Sequence, residues 1–185
     1  MSVLRGWLDV VIEVEAVARV VKEFHLGQAG QVCSIGVRDC RDVVIAWFTV
    51  KEQLGRALVA FSRDAGRTFG TPVRIDEAGS LGRVDVELLA DGSALATWIE
   101  FAAGPSGDQR AQFRARIIEP SGRLSPSVTI AGIEGSRTSG YPRVARDGDE
   151  LLFAWTENVD GRLRVRTARA LSATSGASRS GRPQP

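Results

Sequence analysis

The sequence predicts an all-β fold: a partial β-propeller of about three four-stranded antiparallel blades, with an N-terminal helix and a disordered C-terminal tail. Three observations carry that prediction. The segments DVVIAW (42–47), SALATW (93–98) and ELLFAW (150–155) each end on a small residue and a tryptophan, and Trp47, Trp98 and Trp155 lie 51 and 57 residues apart. Each segment is followed by a polar loop and an alternating strand: RALVAFS (56–62), RAQFRARI (110–117) and RLRVRTARA (162–170). Asp-Gly pairs, Asp91-Gly92 and Asp147-Gly148, precede the second and third tryptophan segments, and such pairs turn hairpins because both residues accept positive φ.

The elements follow in chain order. Residues 1–30 differ from the rest. Val3, Trp7, Val10, Val14, Val17, Val21 and Phe24 recur at steps of four and three, which predicts a helix over about 5–24 docking by its apolar stripe. Glu15 and Arg19 are spaced for an ion pair on that helix, and Gly27 and Gly30 can end it. Residues 31–170 are the blade region. Strands are expected at 42–47 and 56–62, then PVRI at 72–75; at 82–92, 93–98 and 110–117, then SVTI at 127–130; and at 140–150, 150–155 and 162–170. A unit of about 50 residues with four strands has the size of a propeller blade. The tryptophan then sits on the second strand and packs between blades. Residues 171–185, LSATSGASRSGRPQP, are rich in Ser, Gly and Pro and bury too little to offset the entropy of ordering.

Composition narrows the function. A net charge of +2 with no dense basic run gives no case for nucleic acid. No stretch reaches the ~18 uninterrupted apolar residues of a membrane span, and Asp9, Glu13 and Glu15 interrupt any secretory leader. As written, the chain is expected in the cytoplasm, although longer relatives can be exported. The only histidine is His25, so no zinc cluster, other metal site or cofactor is expected. Cys33 and Cys40 read as two free thiols or as one disulfide, and both readings stay open. One histidine also argues against Ser-His and Cys-His catalysis.

One motif is specific. Ser62, Asp64, Gly66, Thr68 and Phe69 fit the pattern Ser-x-Asp-x-Gly-x-Thr-aromatic, the Asp-box or bacterial neuraminidase repeat. Asp64 can accept backbone N–H groups of its own turn, and Gly66 supplies a backbone shape other residues resist. Thr68 closes the loop and Phe69 tucks beneath it. A worn copy, Glu119 to Leu124, lacks the Asp and the aromatic residue. With AWFT, AFSRDAGRTFGTPVRID, GRVDVELLADGSALATW and SGYPRVARDGDELLFAWTE, residues of about 42–170 resemble the sialidase-like, exo-α-sialidase-type β-propeller proteins of bacteria. That resemblance makes the Asp-box a structural turn on the outer rim. It also implies a ring of six blades, of which this chain supplies about half.

The resemblance further implies a chemistry. Sialidases use a Tyr nucleophile; the resemblance pairs it with a Glu, adds an Asp as acid, and clamps the sugar carboxylate with three Arg. The matching positions here are Tyr141, Arg143, Arg83, Asp85 and Glu157. Aligning the Asp-Gly turns sets Tyr141 level with Asp85 and Arg143 level with Glu87, all toward a central channel. Strands beside a wet channel carry polar residues in any case, and such charges pair structurally. The function expected is therefore a non-enzymatic binding or structural module, with a carbohydrate ligand and a homo-oligomer that completes the propeller. Two alternatives stay open: a sialidase-type glycoside hydrolase active only in a full propeller, and a truncated gene product without activity.

Overall fold

The computed structural model describes residues 31–38, 41–101, 110–134 and 140–171. The helix expected over 5–24 and the tail from 172 on lie outside these residues, as does Cys40 and with it the Cys33–Cys40 question. The described chain forms eleven strands: β1 (Gln31–Arg38), β2 (Asp42–Lys51), β3 (Leu54–Ser62), β4 (Val73–Arg74), β5 (Ser80–Leu88), β6 (Ala94–Phe101), β7 (Arg110–Ile118), β8 (Val128–Glu134), β9 (Arg143–Asp147), β10 (Glu150–Val159) and β11 (Arg162–Leu171). They make three antiparallel meanders in chain order, β1-β2-β3-β4, β5-β6-β7-β8 and β9-β10-β11. This is a partial β-propeller: two complete blades and three strands of a third.

The boundaries differ from expectation in instructive ways. The tryptophan-based reading assigns no strand ahead of Asp42, yet Gln31–Arg38 pairs with β2 from Gln31↔Phe48 to Arg38↔Asp42 and is the first blade's inner strand. The strand expected at 72–75 shrinks to Val73–Arg74. Pro72 has no donor for the ladder. The side chain of Asp76 takes the next place, accepting the Ala57 N–H at 2.8 Å. Leu171, expected in the tail, closes β11 opposite Glu150.

Alternation sorts the core into layers. Between the first two blades lie Val44, Ala46, Ala57 and Val59 against Val84, Val86, Leu88, Ala94, Ala96 and Trp98. Between the second and third lie Leu95, Ile99, Phe113 and Ile133 against Val144, Leu151 and Phe153. Phe113 meets Phe153 edge-on at 6.4 Å and Trp155 at 6.1 Å. Trp98 thus faces back onto the first blade and Trp155 back onto the second, as the sequence predicts. Trp47 takes the equivalent face of the first blade, packing with Val43, Ile45, Ala60, Leu58 and Phe69 on the side turned away from the second.

Candidate functional site

The innermost strands β1, β5 and β9 bring their polar side chains to one place. Pairing fixes which positions correspond. Ile45 faces Ile35, Ala96 faces Val86 and Phe153 faces Val144, each two residues before its blade's tryptophan. Ser34, Asp85 and Arg143 are therefore equivalent positions on three successive inner strands, and Arg83 and Tyr141 each lie two residues ahead of theirs. This corrects the level inferred from the Asp-Gly turns by two residues. The reason is turn length: the β5–β6 connection closes through Leu89 and Ser93, whereas Asp147 pairs directly with Glu150.

Asp85 is the hub, and it is 3% exposed. Its carboxylate accepts the Ser34 hydroxyl from β1, its own Val86 N–H at 3.1 Å and the Val144 N–H of β9 at 2.9 Å. Arg143 Nε stands 3.4 Å away, with a side chain 67% exposed. One buried carboxylate thus ties three inner strands together. Both its oxygens are engaged, which is the geometry of a structural tie rather than of an acid presented to solvent.

The exposed part of the cluster lies one level away. Tyr141 is 77% exposed, and the Arg83 guanidinium sits over its ring at 5.7 Å. Local backbone aims both side chains. Pairing of β5 with β6 is irregular from Ser80 to Asp85, and Arg83 has φ 56°, a left-handed conformation uncommon for a residue with a side chain. Gly140 has φ 67°, and a side chain there would strike the Thr156 hydroxyl at 2.9 Å. Glu87, half-buried on the same strand, has its carboxyl pushed above the usual range, first by burial and then by the Asp85 charge, with Arg146 and Arg143 opposing. The sequence places Glu87 on the channel side without a role of its own, because nothing in a linear pattern reports its burial.

Glu157 does not join the Tyr141 group by any described contact. It pairs with Arg166 at 2.7 Å. The same pair exists one blade earlier, where Arg114 binds Glu100 at 2.6 Å. Each Glu stands two residues past its tryptophan, and each Arg faces that tryptophan across the ladder. In the second blade the pair is buried: Glu100 is 0% exposed and also accepts Trp98 Nε1 at 3.0 Å and the Glu77 N–H at 2.9 Å. In the third it is open to solvent.

The Ser62–Phe69 turn is closed by its own side chains. Asp64 accepts the Thr68 N–H at 2.8 Å, the Thr68 hydroxyl at 2.6 Å and the Ser62 hydroxyl at 2.7 Å. Those bonds hold its carboxyl down to about 2. Gly66 donates to Ser62 Oγ at 2.9 Å with φ 82°, and Phe69 packs beside Trp47. The corresponding turn of the second blade closes instead through Gly122 N–H to Glu119 C=O at 2.8 Å and a Glu119–Arg123 ion pair. A cavity of about 560 Å³ opens between the two turns, lined by Phe61, Arg63, Thr68, Val73 and Pro120 among others. It lies at the opposite end of the strands from Tyr141.

Among the described residues no group of three His, Cys, Asp or Glu side chains is set to hold a metal, and no helix is long and apolar enough to cross a membrane.

No family model and no curated protein matches the chain. Solved structures do. An α-L-arabinofuranosidase from Fusarium graminearum, in complex with an iminosugar inhibitor, superposes with TM-score 0.57 at 10% identity, covering 77% of this chain and 45% of that one. A GH43_12 protein retrieved from a capybara gut metagenome gives TM-score 0.50 at 10% identity, covering 74% and 28%. The chain thus spans less than half the length of either. At this identity the likeness is one of fold, a propeller of the kind found in glycoside hydrolases. The sequence resemblance named sialidases, whereas the neighbour that carries an enzyme name is an arabinofuranosidase.

Proposed function

We propose that this chain is a carbohydrate-binding propeller module of the sialidase-like, Asp-box type, whose inner-strand cluster holds an acidic sugar without cleaving it. The observation that carries this reading is the exposed Tyr141 ring with Arg83 over it and Arg143 on the same strand. An exposed ring suits the apolar face of a pyranose, and a guanidinium fork suits a carboxylate. The carboxylate nearest them, Asp85, already holds two inner-strand N–H groups and a hydroxyl. The Ser62–Phe69 turn supports the structural half of the reading, since every polar group of its motif closes the turn itself.

A sialidase-type hydrolase is the second reading, and the raised carboxyl of Glu87 beside Arg143 favours it. In that reading Tyr141 is the nucleophile with Glu157 as its paired Glu, Arg83 and Arg143 belong to the carboxylate clamp, and Asp85 supplies the acid. The test is titration with 3′-sialyllactose by calorimetry, alongside turnover of a fluorogenic sialoside. Binding without turnover, lost in Tyr141→Ala and in Arg83→Ala, is the expected result. Turnover abolished by Tyr141→Phe selects the hydrolase, and absence of both binding and turnover overturns both readings.

A further inference from the structure

Among the described residues the third blade has three strands where its neighbours have four. β3 carries β4, paired at Leu58↔Arg74 and Val59↔Val73, and β7 carries β8 from Arg110↔Glu134 to Ala115↔Val128. β11 pairs with β10 through ten consecutive positions, and among the described residues nothing pairs with its other edge. All of β11 except Ala168 is exposed. Unpaired among the described residues, its outer row of N–H and C=O groups is a template for an added strand.

The side chains on that edge specify the occupant. Register with β10 puts Arg162, Arg164 and Arg166 on the face toward the second blade, and Leu163, Val165 and Leu171 on the other. Arg166 is paired with Glu157, while Arg162 and Arg164 make no ion pair among the described residues. Leu163 is 61% exposed and Val165 and Leu171 are 74% exposed, beside Leu152 of β10 at 41%. In the second blade Arg114, the counterpart of Arg166, binds Glu100 and Glu77 and also the Ser127 hydroxyl just ahead of β8, so a fourth strand's approach there adds partners to the charges of the third. Among the described residues Arg162 and Arg164 of β11 have no such partner, while Arg166 has Glu157. Pairing β11 with a second copy of itself sets Arg opposite Arg, which like-charge repulsion opposes. The same charges that block self-pairing select an acidic strand.

We propose that the outer edge of β11 is a strand-docking site for a partner protein, taken by an extended segment that alternates acidic and apolar residues. The acidic side chains lie against Arg162 and Arg164, and the apolar ones extend the patch of Leu163, Val165 and Leu152. The partner strand completes the third blade.

The experiment uses the whole chain and a fluorescein-labelled, end-blocked decapeptide alternating Glu and Val, followed by fluorescence anisotropy. A Lys-Val decapeptide and a Glu-Val decapeptide N-methylated at every second residue are the comparisons. The Glu-Val peptide is expected to bind and to slow hydrogen exchange of the β11 amides, and the other two are expected not to bind. Arg162→Glu with Arg164→Glu weakens Glu-Val binding at least tenfold and gains binding of the Lys-Val peptide. That reciprocal gain shows the variant is folded. Equal binding of all three peptides, no effect of the double variant, or no Glu-Val binding at millimolar concentration overturns the proposal. Competition by self-association of the chain also overturns it, since a second copy then fills the edge.

Discussion

Replacement of Asp85 separates the two roles open to it. The carboxylate is buried and accepts the Val144 and Val86 N–H groups and the Ser34 hydroxyl. Asp85→Ala leaves the Val144 N–H without an acceptor, at about 1–3 kcal/mol. It also removes the charge-assisted bonds that join β1, β5 and β9, bringing the total to about 3–5 kcal/mol, as for breaking a buried charged pair. The exposed Arg143 adds little, because solvent screens its 3.4 Å contact. Asp85→Asn keeps one acceptor but turns donors onto the others, so it costs about 2 kcal/mol. With a urea m-value of about 2 kcal/mol/M, the unfolding midpoint falls by roughly 2 M for Ala and 1 M for Asn. Urea titration followed by tryptophan fluorescence measures this directly, since Trp98 is buried in the layer beside Val86. A midpoint shift for Asp85→Ala below about 0.5 M refutes the structural account. Loss of sialoside turnover in Asp85→Asn at unchanged stability assigns the residue to chemistry instead.

Three further outcomes are expected. The Asp64 carboxyl is held at about 2 against 3.8, so the Ser62–Phe69 turn contributes stability that is full above about pH 4 and disappears as pH falls through about 2. Asp64→Ala therefore costs about 1 kcal/mol at pH 7 once solvent screening is allowed for, and flattens the acid limb of a pH–stability curve read by thermal melting. A side chain at Gly55 would run into the Ser80 carbonyl oxygen, a backbone atom that cannot swing aside, so Gly55→Ala costs about 3 kcal/mol and lowers Tm by roughly 10 °C in calorimetry. Glu100→Gln removes the buried charge facing Arg114 and leaves one acceptor oxygen where Arg114 and the Trp98 N–H each need one, at about 3 kcal/mol, whereas Glu157→Gln at the equivalent exposed pair costs under about 1 kcal/mol; parallel urea titrations check the contrast.

The repeat was legible because a propeller writes its core into a spacing. Each tryptophan occupies the same place on a second strand, and the alternating apolar residues on either side of it must face a neighbouring blade. β1 was missed because its blade has no Asp-Gly signal: the chain turns from Arg38 to Asp42 with an Arg38–Asp42 ion pair instead. Its inward-facing Gly36 gives no alternation to read either. What Gly36 provides is close approach, since a Cβ there would lie 3.1 Å from the Leu88 backbone nitrogen.

The candidate site was legible in residue type but not in level. Arg83, Asp85, Tyr141 and Arg143 do gather on the inner strands, because alternation puts polar residues of a strand on one side. Their register depended on the length of two turns, and a difference of two residues moved Arg143 from Glu87 to Asp85. Glu157 shows the converse case. Its position two residues past a tryptophan is that of Glu100, and the repeat assigns both the same task of binding an Arg on the next strand. A residue that the repeat explains needs no ligand to account for it. Arg83 and Tyr141 are not explained that way, since the half-buried Arg83 guanidinium stacks on the exposed Tyr141 ring and no core layer requires either. Function is best sought at such positions, where the repeat stops dictating the residue, and on that argument the ligand we propose is to be sought beside Tyr141 before Glu157.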